Sequence, residues 1–188
     1  MRKKHKYMEP ECTIWIDVRR DKAYVPTAIR LTYPIKRRTL EGPKDDINRT
    51  GVLTEPVYSA PLTVDGLAAL LEEALARGNP TIHLASPEEM YGHFPDPMPK
   101  AMGVRTSLGA SRGTIPYWVQ CYEDEVELGI PRRKPPYDTG RSMKRFPREK
   151  SARAIAEAIL ADLVGRRGVV VQAIDQGVEH GAGLAEES

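Results

Sequence analysis

Eight basic side chains crowd into the stretch Pro131–Lys150: Arg132, Arg133, Lys134, Arg141, Lys144, Arg145, Arg148 and Lys150. Only Asp138 and Glu149 oppose them, so the segment carries +6 in a chain whose formal net charge is +2. A charge that concentrated on a nearly neutral protein points to an anion or an acidic partner. Tyr137 and Phe146 interleave the cations, where rings can stack on nucleic-acid bases or anchor the segment to a core. Pro147 suits the first turn of a helix, which would set Arg148, Lys150 and Arg153 at its positive end. Cations there oppose the helix dipole and favour an external anion. The run Glu123-Asp124-Glu125-Val126-Glu127 lies directly upstream. It offers the competing outcome, in which the segment is neutralised from within.

The other chemistry-bearing patterns are weaker. Gly109-Ala110-Ser111-Arg112-Gly113 matches G-x-S-x-G, a nucleophile elbow that requires a strand before the serine and a helix after it. Strand formers, Thr114 to Val119, follow instead, so Ser111 is not expected to be a nucleophile. Asp162 or Asp175 and then His180 complete a triad order on paper, but His180 lies in a Gly-rich tail. His83 and His93 stand ten apart, with none of the spacings that hold a structural zinc, so no metal site is expected. Gly103 to Ser111 lacks the lysine–serine/threonine pair of a phosphate loop, and no dinucleotide fingerprint follows a strand, so no cofactor is assigned. A basic N-terminal arm (Arg2, Lys3, Lys4, Lys6) and a cluster at Lys36, Arg37 and Arg38 would add phosphate contacts if they shared a face with 132–150. No catalytic residue is assigned.

The elements that must position these residues follow from periodicity. Cys12, Ile14, Ile16 and Val18 alternate with polar neighbours, as a half-buried strand does. Ala23 to Tyr33 reads as its hairpin partner, with Pro26 pushing it toward an edge or a bulge. Residues 36–50 read as a mobile loop and 52–59 as a strand. Thr63 caps a helix over 63–77 whose stripe is Val64, Leu67, Ala68, Leu71 and Leu75. Gly78-Asn79-Pro80 stops it. A short strand at 81–84, a short helix from Ser86 and a long loop over 93–112 come next. Residues 114–122 have strand composition. A last helix over 150–164 buries Ala152, Ile155, Ala156, Ile159, Leu160 and Leu163, and 169–173 reads as a buried strand. Two strand–helix–strand units, 52–84 and 114–173, suggest right-handed crossovers between parallel strands.

The expected fold is α/β or α+β: a single mixed sheet, two main helices packed largely on one face, and an N-terminal β-hairpin. One globular domain over 11–175 is expected between a disordered basic tail (1–10) and a disordered C-terminal tail (176–188). No run of apolar residues is long enough for a membrane span, and the basic N-terminus lacks the apolar stretch of a secretory signal. Cys12 and Cys121 sit in apolar strand-like sequence, which reads as two buried free thiols in a cytoplasmic protein. The leading functional reading is a non-enzymatic accessory protein binding a polyanion, foremost nucleic acid, through 132–150. The rivals are a protein–protein adaptor or inhibitor docking an acidic partner, and a small enzyme acting on a phosphorylated substrate.

Overall fold

A computed structural model describes residues 10–33, 47–86, 89, 94–131 and 142–167. They form a mixed seven-stranded sheet with its two long helices on one face. In chain order the strands are β1 (Cys12–Arg19), β2 (Lys22–Tyr33), β3 (Ile47–Pro61), β4 (Thr81–His83), β5 (Ile115–Cys121), β6 (Glu125–Ile130) and β7 (Ser142–Pro147). The helices are α1 (Val64–Arg77), two short pieces α2 (Met98–Ala101) and α3 (Ser107–Ser111), and α4 (Ser151–Arg167). A 3-10 turn, Arg148–Lys150, leads into α4.

The hairpin β1–β2 forms as its alternation predicts, and α1 begins at the Thr63 cap, whose hydroxyl accepts from the Gly66 amide at 3.1 Å. The core lies between the sheet and the helix pair. Ile14, Ile16 and Val18 of β1, Tyr117 and Val119 of β5, and Val126 and Leu128 of β6 meet Leu67 and Leu71 of α1 and Ile155 and Ile159 of α4. Packing this interior removes large apolar areas from water, the main force holding the layers together.

The strand order β3-β2-β1-β5-β6-β7 is antiparallel throughout, and β4 alone runs parallel to its partner, β2. The crossover expected over 52–84 is therefore absent. Both β3 and β4 pair with β2, one antiparallel and one parallel, so α1 joins strands of opposite direction. The second unit is interrupted by β6 and β7, and its last strand, 169–173, lies outside the described residues, as do the tails 1–9 and 176–188 and most of the short helix from Ser86. Ile47 to Thr50, expected in a loop, pair with Tyr33 to Arg30 as the start of β3.

Beyond Asp17 the two strands of the hairpin separate. There β1 continues beside β5, and β4 takes its place against β2 at Arg30 to Thr32. Asn79 fills the fork. Its Oδ1 accepts from the Thr13 amide at 2.5 Å, and its Nδ2 donates to the carbonyls of Thr13 and Ala28, each at 2.9 Å. Arg77 secures the same corner, its guanidinium 4.0 Å from the centre of the Tyr58 ring and donating to Thr27 Oγ1 at 3.2 Å.

The cysteines correct their expected state. The β1–β5 register sets Cys12 opposite Cys121, the Cα atoms are 5.1 Å apart, and the pair is joined as a disulfide. That separation falls within the range a disulfide requires, and two residues 109 positions apart in sequence give no sign that they will be cross-strand neighbours.

Candidate functional site

Most of the basic segment flanks or builds an unforeseen strand at the sheet margin. Arg132, Arg133, Lys134 and Arg141, and the side chain of Lys150, lie outside the described residues. Lys144, Arg145 and Arg148 are described. Pro147 ends β7 and does not open the last helix, so Arg148 falls in the 3-10 turn and α4 starts at Ser151.

The acidic run is itself part of a strand, β6, and the β6–β7 register decides how the charges meet. Glu127 faces Arg145 and Glu125 faces Pro147. Arg145 Nη2 reaches Glu127 Oε1 at 2.7 Å, and its Nε lies 3.6 Å from Glu125 Oε1. The Glu127 side chain is only 10% exposed against 57% for Arg145, so the pair is shielded on one side. Arg148 donates to Glu11 Oε2 at 2.5 Å and to the Tyr122 carbonyl at 2.9 Å. Its charge is held by the Glu11 carboxylate, which raises its pKa. At α4 the same pattern recurs, with Arg153 Nη1 2.9 Å from Asp65 Oδ1 and its Nε 3.4 Å from Glu157 Oε1. Phe146 packs against the main core and pins β7 to it. Ser142 to Arg145 are all exposed.

The second polar constellation was not visible in the sequence. The face of the sheet away from the helices carries Trp15 and Asp17 of β1 and Trp118 of β5, with Trp15 directly opposite Trp118. Trp118 covers Gly129 of β6, where a Cβ would collide with the indole Cζ2. Across this face the chain from Asp96 to Arg112, part of the loop expected over 93–112, folds as α2 and α3 and roofs a cavity of about 350 Å³. Its floor is Asp17, Leu53 and Pro116. Asp96 enters from the roof, one oxygen accepting from the Met98 amide at 3.0 Å. Burial, then the neighbouring Asp96 charge, push the Asp17 carboxyl up to about 6. Asp17 alternates with Ile16 and Val18 like any solvent-facing strand residue, so nothing local marks it.

Ser111 lines this cavity at the end of α3, with β5 after it. The order is helix, turn, strand, the reverse of a nucleophile elbow, and the Ser111 hydroxyl donates to the Leu108 carbonyl at 3.0 Å. His83 pairs its Nδ1 with Thr32 Oγ1 at 2.5 Å on the short strand β4. Among the described residues no group of three or more His, Cys, Asp or Glu side chains comes together as a metal site would require. His93 and His180 are not among them. No described helix is long and apolar enough to cross a membrane.

No protein-family model matches the sequence, and no curated protein matches it. Among solved structures the chain is similar to a protein of unknown function from Neisseria meningitidis, with a TM-score of 0.49 and 13% identity over 82% of this chain and 96% of that one.

Proposed function

We propose that this protein is a non-enzymatic binding protein that docks an acidic protein partner along β7 and the flanking cations of residues 132–141. The observation that carries this reading is the composition of β7: four successive exposed residues, Ser142 to Arg145, on the strand at which the described sheet ends. A margin strand presents backbone donors and acceptors that an extended segment of another protein can pair with. The exposed Lys144 along it selects acidic side chains and keeps two copies from pairing with each other. The nucleic-acid reading draws less support, because Arg145 and Arg148 already serve internal carboxylates and carbonyls. Phosphate neutralisation needs cations free to replace condensed counterions. The Cys12–Cys121 bond favours an oxidising compartment over the cytoplasmic setting expected from the sequence. Thiol alkylation followed by mass measurement of protein taken from cells tests it, since a reducing compartment keeps cysteines in the thiol form.

The binding test is fluorescence anisotropy across a salt series with two probes, a labelled extended peptide alternating glutamate and valine and a random DNA duplex. The peptide should bind and Lys144→Gln should weaken it. Duplex binding tighter than about 10⁻⁴ M at low salt, without peptide binding, replaces this reading with the nucleic-acid one. Binding of neither probe overturns both.

A further inference from the structure

Most of the polar side chains that line the cavity beneath α2 and α3 present acceptors to it. The Asp17 carboxylate makes no hydrogen bond or ion pair with any described residue. Asp96 uses one oxygen on the Met98 amide and keeps its remaining lone pairs. Thr114 donates its hydroxyl hydrogen to the Ala110 carbonyl at 2.6 Å, as Ser111 does to Leu108, so both present only lone pairs to the space beside them. A hydroxyl has a single hydrogen, and an ionised carboxylate has none. Four of the five polar side chains in the described lining, Asp17, Asp96, Ser111 and Thr114, thus present acceptors, two of them carboxylates that repel each other, and no cation is among the described lining residues. The rest of the described lining is the Ser107 hydroxyl, which can donate or accept, and the apolar Leu53, Met98, Ala110 and Pro116.

We infer that this cavity binds an alkyl cation, a guanidinium or primary ammonium carried on an apolar shank. Such a group supplies only donors, separates the two like charges, and lays its methylenes on the apolar wall, as arginine and lysine stems do. A bare ion would leave most of about 350 Å³ unfilled. The site is independent of β7, from which β6 separates it on the sheet. The same chemistry has two sources, a free small amine or the basic side chain of a partner protein.

The test uses butylguanidine, with butylurea as its uncharged counterpart of the same shape, followed by amide chemical-shift titration of the full chain. Butylguanidine should shift the amides of Asp17, Met98, Ser111 and Thr114 and bind at least about fivefold more tightly than butylurea, as expected for a shielded charge-assisted contact. Asp17→Asn should remove that preference while Lys144→Gln leaves it intact. In the unmutated protein, saturating butylguanidine should pull the Asp17 titration below its value of about 6. Asp96 is the other ionisable group among the described lining residues, and the strand neighbours of Asp17, Tyr24 and Pro116, bring no charge. An arginine-containing pentapeptide forms a second arm. Shifts with the peptide as strong as with butylguanidine identify a protein side chain as the occupant, and shifts with butylguanidine alone identify a small amine. Equal binding of butylguanidine and butylurea, no shift with either, or an Asp17 titration that does not move, overturns the inference.

Discussion

Asp17 is the residue at which local chemistry departs furthest from what its neighbours in sequence imply. Its carboxyl rises from an ordinary 3.8 to about 6, through burial and then through Asp96. The raised value favours the protonated acid in the fold, so this group costs nothing below about pH 4, where both folded and unfolded chains hold the proton. The cost grows as pH rises, and is complete once the folded carboxyl has ionised above about 6. Asp17→Asn should therefore stabilise the protein at neutral pH by about 2–3 kcal/mol, with the gain vanishing near pH 4. Urea denaturation of both proteins across that range measures it. A pH-independent difference would mean that packing, and not charge, sets the effect. The variant thus gains stability while losing the preference for a cation, the trade expected of a group held for binding.

At the scale of elements, the fork between β1 and β2 shows how one side chain completes a sheet that changes partners. Thr13 and Ala28 have backbone groups that no strand reaches, and the Asn79 amide supplies both the acceptor and the donors. Asn79→Ala should cost about 2–4 kcal/mol, because it leaves partly buried backbone groups without partners. Asn79→Asp should not restore the loss, since a carboxylate can accept from the Thr13 amide but repels the two carbonyls. Thermal and chemical denaturation of the three proteins decide this, and an Asp variant as stable as the parent would refute the donor role. In the sequence, Gly78-Asn79-Pro80 reads only as a helix stop. The β6–β7 hairpin was hidden for a related reason. Charge dominates both strands, in the acidic run and then the basic one, and masks the alternation of Val126, Leu128 and Ile130, which only the core face reveals.

Over the whole molecule, the Cys12–Cys121 bond joins the first described strand to the middle of the sheet across 109 residues. Closing a loop of that length removes much freedom from the unfolded chain, and such bonds contribute about 2–5 kcal/mol. Reduction should lower the urea midpoint accordingly, and Cys121→Ala should show no further change on reduction. Equal midpoints with and without reductant would show that the bond contributes nothing to stability. The effect is global because both cysteines face the interior shared by α1 and α4.

What the sequence determined by itself was local. The stripe of α1 with its Thr63 cap, the alternation of β1 and the apolar face of α4 are each written within a dozen or so neighbouring residues, where helix and strand periods act directly. From these came the helices on one face and the N-terminal hairpin, whereas the expected mixed sheet rested on parallel crossovers and is instead made mixed by β4 beside β2. Tertiary structure decided everything that depends on register between distant strands. It set Arg145 against Glu127, so that part of the basic segment is answered from within the chain. It set Cys12 against Cys121. It also brought Asp96 over Asp17 beneath two short helices with no apolar stripe to announce them. Charge and reactivity depend on which side chains lie a few ångströms away in space, and for these residues those neighbours lie from 18 positions (Glu127 to Arg145) to 109 positions (Cys12 to Cys121) away along the chain.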